Sequence, residues 1–111
     1  MAVVVKHGAG KRVKQFGARG LSESLLAGPA SGCNRFTVRS LLLEPDGRTA
    51  AVSHNSSVFY HIVEGKIIIR QDSGELEALK AGDSAIIPER EKHILMNISK
   101  KKCSILKVVP Q

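Results

Sequence analysis

The stretch Gly82-Asp83-Ser84-Ala85-Ile86-Ile87-Pro88-Glu89-Arg90-Glu91-Lys92-His93-Ile94-Leu95-Met96-Asn97 holds two short apolar runs separated by turn-forming and charged residues. Ala81-Gly82-Asp83 marks a turn before the first run, and Pro88 closes it. Both runs are too short for a long helix and suit strands. Alternate residues of a strand share a face, so His93, Leu95 and Asn97 point the same way in the second run.

The same punctuation continues on either side. Arg35 to Leu43 ends at Glu44-Pro45-Asp46-Gly47, where Pro presets the second turn position and Gly suits the fourth, so a return strand is expected. Val58 to Val63 and Lys66 to Arg70 are separated only by Glu64-Gly65, the spacing of a two-residue hairpin. Asp72-Ser73-Gly74 marks another turn, and Cys103 to Val109 forms a last segment after Lys100-Lys101-Lys102. Residues 1–19 are basic and glycine-dotted, with a Val3-Val4-Val5 run suited to an added edge strand. Leu21 to Leu26 suits one helical turn, ended by Gly28-Pro29-Ala30-Ser31-Gly32. Seven to nine short strands and no long helix predict an all-β sandwich or barrel.

The chain has 111 residues, enough for one domain with one core. No internal repeat or linker divides it; residues 1–34 are read as an N-terminal arm with edge strands and residues 35–111 as the barrel. Trp is absent and there are only 3 Phe and 1 Tyr, so Val, Ile and Leu must supply the core. The net charge of +7 is uneven, since Lys6, Lys11, Arg12, Lys14 and Arg19 precede the first acidic residue. Such patches attract polyanions, but no aromatic residues interleave with these, so a solvated surface is expected and nucleic acid is not expected as a partner. Cys33 and Cys103 lack any CxxC spacing and read as free thiols. The apolar start is too short for a signal peptide and no run spans a bilayer, so no membrane association and a cytoplasmic location are expected.

If residues 52–62 run as a regular strand, Val52, His54, Val58, Tyr60 and Ile62 share one face and His61 lies on the other. Should that face and the His93 face line one interior, His54 and His93 converge. From Gly82 to Asn97 the sequence resembles the second cupin motif, G(X)5PXG(X)2H(X)3N, with Arg90 in place of the second glycine. Gly47 to Gly65 resembles the first motif, G(X)5HXH(X)3,4E(X)6G, more loosely. Aligned on Gly65, His54 falls on the second histidine, Val52 on the first, Val58 on the glutamate, and Gly47 one residue off the opening glycine.

The resemblance, over roughly residues 35–109, implies a double-stranded β-helix or jelly-roll barrel, commonly dimeric, with a metal or small ligand inside. Family members range from isomerases, epimerases and dioxygenases to storage proteins and sensor domains, so the fold alone does not give the function. The family's metal is usually held by three histidines and a glutamate, and here only His54 and His93 remain. Tyr60, Cys103, or His61 brought round by a β-bulge would have to complete a shell. Two readings follow. One is a small-molecule-binding cupin whose pocket includes His54, Val58, Tyr60, Arg90, His93 and Asn97, with a degenerate two-histidine site holding no cofactor or a weakly bound Zn, Ni, Mn or Fe ion. The other is a metal-dependent oxygenase or isomerase acting on a small polar substrate. Arg90 either binds an anionic group at the mouth or meets solvent, Asn97 satisfies backbone groups near the motif loop, and His7 reads as a surface residue. Exposed sheet edges, an outward Ile68 between Lys66 and Arg70, and the Val3-Val4-Val5 run point to a homodimer.

Overall fold

A computed structural model describes residues 2–4, 6, 11–13 and 17–110. Their regular elements are β1 Lys11–Val13, β2 Arg19–Ala27, a 3-10 turn Pro29–Ser31, β3 Phe36–Arg48, β4 Val58–Glu64, β5 Lys66–Gln71, β6 Leu76–Lys80, β7 Ser84–Ile87, β8 His93–Met96 and β9 Cys103–Pro110. Every pairing is antiparallel, in the order β6-β5-β8-β3-β9-β4-β7, with β2 beside β3 and β1 beside β2. The long β3 joins the two halves. Its body pairs β9 from Phe36↔Pro110 to Leu43↔Cys103, and its far end reaches β8 at Arg48↔Met96. The product is an all-β, nearly closed antiparallel barrel.

Side-chain alternation fills it. Val58, Tyr60 and Ile62 of β4 and Cys103, Ile105 and Lys107 of β9 are buried, while the residues between them are exposed or half-buried. Leu41, Leu43, Ile67, Ile69 and Leu95 complete the centre of the core. Each fully buried aliphatic side chain contributes about 1.5–3 kcal/mol relative to exposure. Among the described residues no helix is long and apolar enough to cross a membrane.

Three local expectations are corrected. Glu64-Gly65 closes no hairpin, since β4 pairs β7 and β9 whereas β5 pairs β6 and β8. The link is a corner between the two halves of the barrel. Gly65 has φ +92°, and a Cβ there would sit 2.9 Å from the Lys102 carbonyl oxygen, so glycine is needed for the close approach of β9. A two-residue link with glycine fits either geometry, and only the partner strands decide between them.

Second, Glu44-Pro45-Asp46-Gly47 starts no return strand but lies inside β3. The β2 register jumps from Leu21↔Leu43 to Arg19↔Arg48, so these four residues bulge opposite Gly20 alone. Asp46 N–H donates to the Asn97 carbonyl and Asn97 N–H to that of Gly47, which ties the bulge to the end of β8. Third, Leu21 to Leu26 is strand, not helix, because its backbone pairs with β3 along its length. The remaining turn residues behave as expected. Asp72-Ser73-Gly74 joins the paired β5 and β6, with Gly74 N–H donating to Gln71 O, and Gly82 turns the chain from β6 into β7. Val3 and Val4 are exposed and belong to no strand; Val5, His7 and Lys14 lie outside the described residues.

Candidate ligand site in the barrel interior

His93 opens β8 and is buried, and both its ring nitrogens are engaged. Nδ1 lies 3.0 Å from the Glu91 carbonyl, which can only accept, so Nδ1 carries the proton. Nε2 therefore offers its lone pair to the Tyr60 hydroxyl, 2.7 Å away across the barrel. The rings meet edge to face at 5.5 Å between centroids. Burial pushes the His93 pKa down, partly offset by its bond to the Glu91 backbone, and pushes the Tyr60 phenol up. Both groups are neutral at pH 7.

His54 sits in the segment between β3 and β4. Val52 and His93 exchange backbone hydrogen bonds at 3.1 and 2.9 Å, and Arg90 N–H donates to the His54 carbonyl at 2.7 Å. These latches bring the His54 ring within 6.4 Å of that of His93, centroid to centroid. His54 Nε2 is buried without a hydrogen-bond partner. Its pKa falls to about 4, first because of burial and then because of Lys107, His93 and Arg39.

The two cations named last are the residues that sequence reasoning missed, together with Glu23. Lys107 is only 3% exposed, and its Nζ lies 5.8 Å from the Tyr60 ring centroid. Arg39, Lys107 and Tyr60 form one row across β3, β9 and β4, since Arg39 pairs with Lys107 and Lys107 with Tyr60. Glu23 is 2% exposed and reaches Arg39 through Oε1 and Nη1 at 3.4 Å. Burial lowers the Lys107 pKa, opposed by Glu23 and assisted by Arg39. The signal was present in the alternation: Arg39 is in phase with Leu41 and Leu43, and Lys107 with Cys103 and Ile105.

The other candidates separate. Val58 is buried in the core. Arg90 is exposed at the turn above His54. Asn97 lies beyond the last residue of β8, where its amide nitrogen donates to the carbonyls of Leu43, Glu44 and Lys101 and its oxygen accepts from Ser99 N–H and Oγ–H. That is the backbone-satisfying role expected of it. His61 stays on the outer face, 2.7 Å from Ser84 Oγ, so no bulge turns it inward. A recess of about 300 Å³ adjoins His93, lined also by Ala51, Arg70 and Lys92. Larger recesses of about 510 and 630 Å³ lie at the Lys66 end of β5, away from the histidines, and their walls include neither Tyr60 nor Lys107.

The model of the cupin domain matches residues 40–109. The chain belongs to the cupin family. It is similar in structure to a polyketide cyclase from Streptomyces resistomycificus, with a TM-score of 0.87 and 25% identity over 99% of this chain and 80% of that one. A sugar phosphate isomerase of the cupin superfamily from Silicibacter pomeroyi superposes with a TM-score of 0.81 and 21% identity, covering 98% of this chain and 76% of the other. A predicted oxalate decarboxylase from Thermotoga maritima gives 0.81 and 20% over 97% and 98%. No functionally curated protein matches the sequence.

Membership makes metal the first group to test against this cupin, and the residues do not fit one. Val52 and Val58 offer no donor, Tyr60 occupies the lone pair of His93, and no group of three His, Cys, Asp or Glu suited to an ion occurs among the described residues. Lys107 and Arg39 would also repel a dication. The motif glycine has a visible reason: Arg90, in its place, has φ +63°, where any side chain is strained.

Proposed function

We propose that this cupin binds a small organic molecule inside the barrel without using a metal. The observation that carries the reading is the engagement of both His93 nitrogens, which leaves His54 Nε2 as the one buried imidazole nitrogen without a partner among the described residues. His54, Tyr60, His93 and the buried Lys107 then serve as polar anchors in an otherwise apolar interior, the usual makeup of a small-molecule site. Val58 supplies apolar wall, Arg90 stands at the mouth, and Asn97 holds the backbone that ends β8. The 25% identity with the polyketide cyclase supports an organic occupant. Calorimetric titration of chelator-treated protein with zinc, nickel and manganese tests the reading. No submicromolar affinity is expected; such affinity, lost in His54→Ala or His93→Ala, would overturn it.

We further propose a homodimer in a reducing compartment such as the cytoplasm. Phe59 and Ile86 are paired neighbours on the outer face of β4 and β7, 36% and 70% exposed, and β7 is an edge strand. Both cysteines are free. Light scattering is expected to give twice the chain mass at micromolar concentration, and Ile86→Lys to shift it to the monomer; a monomeric unmodified protein refutes the assembly.

A further inference from the structure

The barrel interior holds more donors than acceptors and more positive than negative charge. Arg39 Nε, His54 Nε2 and Glu23 Oε2 are each buried with no hydrogen-bond partner. Lys107 Nζ makes no hydrogen bond among the described residues; its residue is 3% exposed and Nζ lies 5.8 Å from the Tyr60 ring centroid. Against these donors stands a single acid, Glu23, whose Oε1 already faces Arg39. His54, His93 and Tyr60 add no charge at neutral pH. Glu23 bears on Lys107 as well as on Arg39, whose side chain is 33% exposed, so two cations share one acid and the group carries one net positive charge. An unpaired charge in such surroundings is strongly unfavourable and persists only where a counter-charge or solvent reaches it.

The row Arg39–Lys107–Tyr60 crosses three adjacent strands, and neighbouring strands lie about 4.8 Å apart. His54 stands near the same row, its ring 6.4 Å from that of His93, which is bonded to Tyr60. The chemical complement of three donors and one excess positive charge is an acceptor-only group with one negative charge. A carboxylate has that composition: two oxygens, each able to take two hydrogen bonds, and a geometry suited to an ammonium and a guanidinium N–H together.

We propose that the interior of this barrel is a binding site for the carboxylate group of a small organic acid, held by Lys107 Nζ, Arg39 Nε and His54 Nε2. The proposal rests on the metal-free reading and names the ligand class for that same site. In it His54 is the neutral Nε2–H tautomer and donates. Tyr60 positions His93 and walls the site without contacting the acid's charge. Glu23 aligns the Arg39 guanidinium through Oε1.

The test is differential thermal stability of the full chain with sodium benzoate, sodium acetate, uncharged benzamide and sodium chloride, all at one ionic strength. Benzoate is expected to raise the melting temperature in a saturable way, and benzamide and chloride to leave it unchanged. Lys107→Met should raise the melting temperature without ligand, because it removes the excess positive charge from the same volume, and should weaken benzoate at least tenfold. Lys66→Met, on the exposed surface, should alter neither. An equal response to benzamide and benzoate would overturn the carboxylate assignment while leaving a metal-free organic site standing. Loss of the benzoate effect in Lys66→Met would move the anion to the lysine-rich rim and overturn it as well. Stabilisation by zinc instead of benzoate, abolished by His54→Ala, would defeat the underlying reading too. A Lys107→Met protein that melts lower and still binds benzoate normally would refute the charge argument itself.

Discussion

Replacing Tyr60 with Phe isolates the contact on which the metal-free reading depends. The change removes one oxygen, 2.7 Å from His93 Nε2, and leaves the ring that packs in the core. No cavity larger than a hydroxyl opens, so the loss is almost purely that of a hydrogen bond. His93 cannot turn its other nitrogen to the gap, because Nδ1–H is committed to the Glu91 carbonyl at 3.0 Å. A buried acceptor left unpaired costs about 1–3 kcal/mol. For a domain of this size each kcal/mol lowers the melting temperature by about 4 °C, so a fall of about 4–12 °C is expected. Thermal and urea melts at pH 7.5 give the number, and a double-mutant cycle with His93→Gln isolates the coupling, which should reach about 1 kcal/mol. A Tyr60→Phe variant that melts within 1 °C of the parent (roughly the scatter left by surface substitutions), or a cycle with no coupling, refutes the bond and with it the claim that His93 is unavailable.

Stability should also depend on pH through His54, whose pKa is about 4 in the folded protein against 6.5 when free. Between those values the unfolded chain binds more protons, so the contribution is complete above pH 6.5 and is lost as the pH falls toward 4. After allowance for solvent screening of a half-buried ring it amounts to about 2 kcal/mol, and urea melts at pH 7.5 and 4.5 should show His54→Gln flattening the slope. Arg90→Gly should stabilise the protein by about 0.5–1 kcal/mol, the relief of left-handed strain minus the entropy of the added glycine; a lower melting temperature would mean that the arginine side chain makes a contact worth more than the strain. Val52→His with Val58→Glu, combined with Lys107→Met to remove the repelling cation, should create zinc binding measurable by calorimetry, and an absence of heat would show that these positions do not converge with His54 and His93.

How far the sequence could be read depended on whether local or long-range contacts decide each feature. Strand existence followed from alternation, and the His93 to Asn97 face followed from the period of two. Glu64-Gly65 and Glu44 to Gly47 were misjudged because turn chemistry records that the chain bends and not which strands then pair. Leu21 to Leu26 has apolar residues spaced to suit either a helical turn or a strand, and only the β3 ladder selects strand. The convergence of His54 and His93 came from the motif resemblance, whereas the Tyr60 bond to His93 depends on the depth of the barrel and has no local signature.

Charge placement ties the missed residues to the missing ones. A metal site of three histidines and a glutamate puts positive charge at the centre of the barrel through a bound ion and surrounds it with donors of lone pairs. Here Val52 and Val58 remove two such donors, Tyr60 takes the lone pair of a third, and Lys107 and Arg39 bring positive charge covalently attached to β9 and β3. These substitutions are mutually consistent. A lysine beside a complete metal site would be repelled by the ion, and a depleted histidine pair without the lysine would leave the interior with no charge to offer a ligand. The depressed His54 pKa follows from the same arrangement, because a ring in a partly desolvated cationic site gives up its proton and stays neutral. A neutral imidazole can donate from Nε2 without adding to the repulsion that Lys107 and Arg39 already exert on each other.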